Sequence, residues 1–282
     1  MIDPLETRGP AAVAGAAALG VAVAQFAPGR ETAVNLAAMR ALAETAVDRG
    51  ARLIVFPEYS AFFEPVMGPA FVAAAETLDG PFVDALAALA ADLGVHVVAG
   101  MLEATDDSSR FANTLVAVDP AGELVAKYRK LHLYDAFGDR ESDWVQAGAV
   151  EEPETFEVGG LRVGLQTCYD IRFPEVTRRL VDAGVELVLV PAEWVRGPLK
   201  EQHWRTLLTA RALENTVYLA AADHAPPVGV GNSMVVDPMG VELVTIGETT
   251  DVAVAWVVPE RLAAVRARNP ALALRRFAVV PR

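Results

Sequence analysis

Short apolar runs alternate with amphipathic segments along most of the chain. The runs are rich in Val, Leu and Ala and end at turn-forming or acidic residues, a pattern that favours buried strands. They cover residues 21–25, 53–56, 95–101, 114–118, 163–166, 187–190, 217–222, 234–236, 243–245 and 252–257. Several are continuous rather than alternating, which is typical of strands that are covered on both faces.

Helical spacing of apolar positions fills much of the sequence between these runs. It covers residues 31–48, 81–93, 174–183, 200–214 and 259–268. Pro81 and Pro174 stand in first turns, where proline is tolerated because that N–H has no partner within the helix. Strands and helices fall into two similar halves with no Pro/Gly/Ser-rich linker. We therefore predict a flexible extension at 1–18 and one layered α/β domain over 19–282, with two sheets packed face to face.

The charge balance narrows the range of partners. The 282 residues carry 24 Lys+Arg and 37 Asp+Glu, a formal net charge of −13 at pH 7. No basic stripe is present to bind phosphates, so we expect no nucleic-acid partner. No stretch reaches the ~20 apolar residues of a membrane span, so we expect no membrane partner either. The acidic start of the chain is unlike the basic start of a secretion signal, which favours a cytoplasmic protein.

The chain contains few cysteine and histidine residues. Cys168 is the only cysteine, which excludes an intramolecular disulfide and a multi-thiolate metal site. The histidines are scattered without the close spacing of metal ligands; they are His96, His132, His203 and His224. We therefore predict neither a metal nor another cofactor.

Reactive side chains follow predicted strands. Glu58 follows the run at 53–56 and Cys168 follows the run at 163–166, and functional groups in α/β sheets gather beyond such strand ends. A thiol has an ordinary pKa of about 8.5 and needs a base at neutral pH. Glu58 is a candidate for that base and Lys130 for its counter-cation. Taken singly, each also fits a structural role as a packed thiol, a loop acid or a surface lysine.

Three motifs resemble those of the nitrilase superfamily of carbon–nitrogen hydrolases. They are Phe-Pro-Glu at 56–58, Tyr-Arg-Lys-Leu-His-Leu at 128–133 and Cys-Tyr-Asp-Ile-Arg-Phe-Pro-Glu at 168–175. With further matches at 211–215 and 231–238, the resemblance covers nearly the whole chain. It implies a four-layer αββα sandwich of two packed mixed sheets flanked by helices. It also implies a homodimer or a higher even-numbered oligomer.

The same resemblance implies the roles of four catalytic residues. Glu58 is expected to be the general base, Lys130 the transition-state stabiliser and Cys168 the nucleophile. Glu141 corresponds to the auxiliary glutamate of the family, which precedes a small-residue-Gly turn. The implied enzyme is a hydrolase acting on carbon–nitrogen bonds other than peptide bonds.

Residues beside the nucleophile narrow the resemblance to the amidases. True nitrile hydrolysers typically carry Trp-Glu after the cysteine, whereas this chain carries Tyr169 and Asp170. The stretch 134–143 is most similar to the omega-amidase and deaminated-glutathione amidase group. The implied reaction is hydrolysis, through a thioester, of a small amide that carries a carboxylate, with release of ammonia or an amine. The substrate contacts expected on this basis are Arg172, Arg196, Tyr169, Trp194 and Tyr59.

Other interpretations of the sequence remain open at this point. An N-carbamoyl amino acid hydrolase or a nitrilase on the same scaffold would share the Glu-Lys-Cys set. A metabolite-binding relative without activity is the alternative from another class. For Arg172, an ion pair with Asp170 or Glu175 is the structural alternative to a contact with substrate. After the third strand end, residues 194–198 differ from the Thr-Gly-Pro segment of eukaryotic omega-amidases, which leaves the particular amide open.

Overall fold

Two mixed sheets pack face to face in the computed structural model, which describes residues 18–281. In this range the first six-stranded sheet has the order β12 (Asp251–Val257), β1 (Leu19–Gln25), β2 (Leu53–Val55), β3 (His96–Ala104), β4 (Phe111–Val118), β5 (Leu124–Arg129). The second has the order β11 (Glu242–Thr245), β10 (Met234–Val236), β9 (Tyr218–Asp223), β8 (Leu187–Ala192), β7 (Leu161–Leu165), β6 (Thr155–Val158). The extension predicted at 1–18 lies outside the described residues except for its last position.

Helices cover the outer faces of both sheets. The first sheet is covered by α1 (Thr32–Asp48), α2 (Pro69–Ala73) and α3 (Pro81–Leu93). The second is covered by α4 (Pro174–Asp182) and α5 (Lys200–Asn215), while α6 (Pro259–Arg268) follows β12. Pro81 and Pro174 begin their helices, as predicted. Within the described range, no helix is both long enough and apolar enough to cross a membrane.

Alternate residues of the central strands belong to different cores. Successive side chains of a strand point to opposite faces, so a strand buried on both faces is apolar throughout. Leu187 and Leu189 of β8 lie in the core between the sheets, whereas Val188 and Val190 pack under α4 and α5. Ile54 of β2 packs under the helices of the first sheet. These three cores create the predicted four-layer αββα arrangement.

Three parallel strands lie within each sheet, and their carboxyl ends converge. Strands β1, β2 and β3 run parallel in the first sheet, as do β7, β8 and β9 in the second. The two sheets meet just beyond β1 and β9, where the N–H of Ala225 donates to the carbonyl of Phe26 at 3.0 Å. The segments that follow the two sets of parallel strands therefore lie at one edge of the sandwich.

The sequence pattern located most of these elements. All five predicted helices and all ten predicted strands are present, with shifts of a few residues at their ends. Helix α2 and strand β6 were not predicted, and β5 was recognised only as part of a hairpin. Helix α2 is too short to show a helical period, and β5 and β6 are partly exposed strands at the sheet edge. The α/β sandwich prediction is confirmed.

The contact between β3 and the segment after β2 requires a glycine. A Cβ built on Gly100 would lie 2.5 Å from the backbone N of Tyr59 and 2.7 Å from the Cα of Glu58. The N–H of Gly100 donates to the carbonyl of Pro57 at 3.1 Å, so the two backbones cannot separate without losing this bond. Gly100 thereby sets how closely Glu58 approaches β3.

We expect Gly100→Ala to lower the free energy of unfolding by about 1–3 kcal/mol, the usual range for overpacking. The clash is with backbone atoms, which cannot rotate away. Urea denaturation measures the change. Gly29→Ala is the control, because its added Cβ lies no closer than 3.9 Å to another atom, the Asn35 side-chain oxygen. Equal stability of the two variants would contradict this account.

Candidate active site

Lys130 extends from the end of β5 into a buried group of carboxylates. Its Nζ lies 2.9 Å from Glu58 Oε1 and 2.9 Å from Glu141 Oε2. Asn113 of β4 donates from Nδ2 to Glu58 Oε1 at 2.6 Å and to Glu141 Oε1 at 3.1 Å. Glu58, Lys130 and Glu141 are 1%, 2% and 6% exposed. The structure therefore brings these three predicted catalytic residues into direct contact, away from solvent.

The two carboxylates differ in their surroundings. Burial, reinforced by the negative charge of Glu141, raises the pKa of Glu58 above its ordinary value. Burial also acts to raise the pKa of Glu141, but the Lys130 charge and several donors outweigh it and hold that pKa below its ordinary value. These donors include the Tyr59 hydroxyl at 2.7 Å and the Tyr134 N–H at 2.5 Å. Glu141 is therefore the permanent anion, and Glu58 is the better proton acceptor.

Lys130 remains charged in this environment. Burial by itself would lower the pKa of the ammonium, since it disfavours charge. The two neighbouring carboxylates outweigh that effect and hold the pKa of Lys130 well above its ordinary value. A permanent cation at this position can stabilise negative charge that develops beside it.

Cys168 begins a 3₁₀ turn that follows β7. Its φ of 43° lies in the left-handed region, which is uncommon for a residue other than glycine. Asp170 holds the turn: its carboxylate accepts from the Tyr128 hydroxyl at 2.7 Å, from the His132 N–H at 3.0 Å and from the Thr167 N–H at 3.3 Å. The turn that carries the thiol is thus bound to β5 and to the segment after it.

His132 has a structural role in this region. Its Nδ1 lies 2.8 Å from Asp170 Oδ1, and its ring stacks on Phe173 at 3.7 Å between centroids. His132 therefore helps to position the turn that begins at Cys168 from the side of β5.

Glu193, just beyond β8, connects the thiol of Cys168 to the carboxylate of Glu58. Its N–H donates to Glu58 Oε2 at 2.7 Å, and its carbonyl oxygen lies 3.4 Å from the Cys168 sulfur. Burial raises the pKa of the thiol well above its ordinary value, with a further contribution from the Glu58 charge against an opposing one from Lys130. The raised pKa therefore favours the protonated form of the Cys168 thiol.

A cavity of about 470 Å³ contains these groups. Its lining includes all four predicted catalytic residues and four of the five predicted substrate contacts, namely Glu58, Lys130, Glu141, Cys168, Tyr59, Tyr169, Arg172 and Trp194. Tyr59 also contributes a hydroxyl that contacts Glu141, so it orders that carboxylate besides forming a wall. A larger cavity of about 650 Å³ lies beside β5 and α4 and includes neither Cys168 nor Glu58.

The prediction for Arg196 is wrong. Its side chain is exposed and forms an ion pair with Glu248 at 3.1 Å, outside the lining of the catalytic cavity. The N–H of Arg196 donates to the carbonyl of Val228, which holds this backbone in an antiparallel contact that directs the side chain to the surface.

Three residues of the site were not predicted: Asn113, Glu193 and Lys200. Asn113 is a polar residue in the continuously buried strand β4, and that mismatch is a signal that the sequence contains. Glu193 follows a predicted strand end, as Glu58 does. Lys200, at the start of α5, reads in the sequence as an ordinary helix residue, and only its burial at 6% exposure reveals it.

Comparison with known proteins defines the class of protein that this fold and site represent. The carbon–nitrogen hydrolase family model matches residues 20–267. The chain therefore belongs to the carbon–nitrogen hydrolase family, in the nitrilase superfamily, and it is a hydrolase.

Individual relatives span almost the whole chain. The deaminated glutathione amidase of Escherichia coli O157:H7 is 40% identical over 264 residues, 92% of this chain and 97% of the relative. An omega-amidase of Xenopus tropicalis is 31% identical over 241 residues, 81% of this chain and 84% of the relative. A solved amidase mutant from Nesterenkonia sp. AN1 has a TM-score of 0.76 at 26% identity and covers 92% of this chain and 98% of its own. In that structure the acetamide moiety of fluoroacetamide is covalently added at the active site cysteine.

We expect Glu193→Gln to alter how stability depends on pH. Burial raises the pKa of the Glu193 carboxyl well above its ordinary value, with Glu58 and Asp223 adding to the shift. Folded protein then keeps a proton that the unfolded chain releases, so stability falls as pH rises from the ordinary glutamate pKa of about 4.3 to the folded value. Glu193→Gln does not lose stability in this way. In wild type the loss is about 1.4 kcal/mol for each unit by which the pKa of Glu193 is raised.

Thermal denaturation across pH tests this expectation. The stability of Glu193→Gln relative to wild type should increase with pH. Glu123→Gln, in the exposed turn between β4 and β5, is the control and should follow wild type. Parallel curves for wild type and Glu193→Gln would show that Glu193 holds no such proton.

Proposed function

We propose that this chain is a thiol amidase whose substrate is a small amide with a carboxylate on the acyl part. Cys168 is the nucleophile, Glu58 the general base, Lys130 the oxyanion stabiliser and Glu141 the residue that positions Lys130. The observation that carries the proposal is the buried Glu58–Lys130–Glu141 contact in the cavity that also contains the thiol. The names of the two amidase relatives support an omega-amide as the substrate.

In the first half-reaction the amide is converted into a thioester. Glu58 accepts the thiol proton while the Cys168 sulfur bonds to the carbonyl carbon, and the carbonyl oxygen becomes an oxyanion. The Lys130 ammonium and the N–H of Tyr169 stabilise that oxyanion. Tyr169 is in the first turn of its short helix, where N–H groups lack helical acceptors. Glu58 then protonates the leaving nitrogen as the C–N bond breaks and releases ammonia or an amine.

In the second half-reaction water cleaves the thioester. Glu58, now a carboxylate again, accepts a proton from water as the water oxygen bonds to the acyl carbon. The tetrahedral oxyanion forms again beside Lys130. When the C–S bond breaks, Glu58 returns its proton to the sulfur and the acid product leaves. A donor that stabilises such an oxyanion typically contributes about 3–4 kcal/mol to the barrier.

The surroundings of Arg172 are evidence that the substrate carries a carboxylate. Its guanidinium carbon lies 4.7 Å from the Trp194 ring centroid, at the cavity wall. Its Nε and Nη2 are buried and have no hydrogen-bond acceptor among residues 18–281, and no ion pair joins Arg172 to Asp170 or Glu175. This lack of an ion pair favours a contact with substrate over the structural alternative for Arg172, and the unpartnered N–H groups match the two oxygens of a carboxylate.

We place the enzyme in the cytoplasm. Its nucleophile is a free thiol in a cavity open to small molecules, and oxidation to the sulfenic acid would remove its reactivity. A reducing compartment keeps the thiol intact.

We further propose a homodimer or a higher even-numbered assembly. Large apolar side chains stand exposed near the end of the chain: Leu274 at 70%, Phe277 at 91% and Val280 at 74%. Sedimentation velocity is expected to give at least twice the monomer mass for wild type and a shift toward monomer for Phe277→Ser. A monomeric wild type would contradict this proposal.

Mass spectrometry of the acyl-enzyme tests the catalytic assignment. We expect wild type to release ammonia from small amides and to carry the acyl mass on Cys168 during turnover. Cys168→Ala should lose both, because no other group in the mechanism forms the thioester. The substrate panel includes an N-carbamoyl amino acid and a nitrile alongside the amides.

Two results would each overturn one part of the proposal. Persistent turnover by Cys168→Ala, with an unchanged fold by circular dichroism, would overturn the role of Cys168. Preferred hydrolysis of the carbamoyl compound or the nitrile would overturn the amide as the substrate. Lys127→Ala is the matched control for substitutions near the site, since Lys127 pairs with Glu154 on the surface of β5 and should retain full activity.

A further inference from the structure

A second cation lies beside Arg172 in the cavity. Lys200, the first residue of α5, is 6% exposed, and its Nζ lies 5.7 Å from the Trp194 ring centroid. Its Nζ also lies 4.1 Å from the Phe137 centroid and donates to the Tyr134 hydroxyl at 2.8 Å. Among residues 18–281, neither Lys200 nor Arg172 forms an ion pair with a carboxylate. The wall of the cavity therefore holds two cations among aromatic rings.

Negative groups such as Glu193 and Asp139 act on Lys200 only from beyond ion-pair distance, so within residues 18–281 neither cation has a paired carboxylate. Removing two like charges from water is unfavourable unless an anion compensates them. Burial lowers the pKa of Lys200, and the nearby Arg172 charge lowers it further. The hydroxyl of Tyr134 and the aromatic faces solvate a cation only in part. An anionic ligand between the two cations would remove the repulsion and satisfy the free Nε and Nη2 of Arg172.

The position of the cations relative to Glu58 indicates which part of the substrate is anionic. Glu58 follows a strand of the first sheet and delivers the proton to the leaving nitrogen, so the amine part leaves toward that sheet. Arg172 and Lys200 belong to the turn after β7 and to α5, on the second sheet. The acyl part, which stays bonded to Cys168, is therefore the part that lies along these cations.

We infer that Lys200 and Arg172 together bind a carboxylate at the far end of the acyl group, with Lys200 as a specificity-determining residue. This inference rests on the proposed amidase function and deepens it. Arg172 contacts both oxygens through one edge of its guanidinium, and Lys200 contributes a second positive charge. Both cations stay with the substrate through the thioester stage and then bind the dicarboxylate product.

Lys200→Met tests the role of the side chain with little disturbance of the fold. The carbonyl of Lys200 accepts a hydrogen bond from Trp194 Nε1 at 2.9 Å, and this backbone contact does not depend on the side chain. Methionine keeps an unbranched apolar stem against Phe137 and removes only the ammonium. Lys127→Met is the matched control, since it removes a surface lysine.

The experiment compares kcat/KM for three amides of similar size. In 5-amino-5-oxopentanoate the carboxylate is on the acyl part, in N-butanoylglycine it is on the leaving amine, and pentanamide has none. We expect wild type to prefer 5-amino-5-oxopentanoate. In Lys200→Met the kcat/KM for 5-amino-5-oxopentanoate, divided by that for pentanamide, should fall about 10- to 100-fold, mainly through KM. This is the effect expected for the loss of one hydrogen bond to a charged group. Lys200→Arg and Lys127→Met should keep the wild-type ratio.

The outcomes separate the two proposals. If wild type hydrolyses none of the amides, the proposed function fails. If it hydrolyses pentanamide as well as 5-amino-5-oxopentanoate, or prefers N-butanoylglycine, the thiol amidase activity stands, whereas the acyl carboxylate of the substrate and this inference are both overturned. If folded Lys200→Met keeps the wild-type ratio of kcat/KM for the two amides, the inference is also overturned. Competitive inhibition by glutarate adds a readout on wild type: it should be strong with pentanamide as substrate, and its absence would contradict the inference even if Lys200→Met does not fold.

Discussion

The ammonium of Lys130 lies between the carboxylates of Glu58 and Glu141, and the rest of the catalytic cavity depends on this contact. Three charges are held out of water there, which proteins tolerate only when each charge has a partner and further hydrogen bonds. Removing one member of such a group typically costs about 3–5 kcal/mol, because it leaves a buried charge uncompensated. The hydrogen bonds from Asn113 and Tyr59 complete the group, so these residues are as much part of the site as the charges.

The two sheets make different contributions to the chemistry. The first sheet supplies Glu58, the proposed proton acceptor, and the ammonium of Lys130, whereas the second supplies the thiol and the cations of the cavity wall. Glu193 joins them, since its N–H contacts Glu58 and its carbonyl contacts the Cys168 sulfur. His224, just beyond β9, makes a second link through its Nε2, which lies 2.6 Å from the main-chain oxygen of Glu58. Face-to-face packing of the sheets therefore sets the geometry of the reacting groups.

The sequence predicted the residues whose chemistry is visible in isolation. A thiol, a carboxylate and a lysine within recognisable motifs at strand ends were enough to identify Cys168, Glu58 and Lys130 as candidates, and the structure places them at one cavity. It predicted less well where a role depends on direction. Arg196 and Arg172 are both arginines near a strand end, but one points to Glu248 on the surface and the other into the cavity.

The linear pattern of apolar residues by itself determined the layers, because strands buried on both faces must be apolar at every position and helices at one face only. It also determined which segments follow the parallel strands, and hence where reactive groups gather. Only the tertiary structure decided which of two carboxylates has the raised pKa, and that a helix residue such as Lys200 is buried beside Arg172. Those properties arise from desolvation and from charges that are distant along the chain, and the local sequence does not contain them.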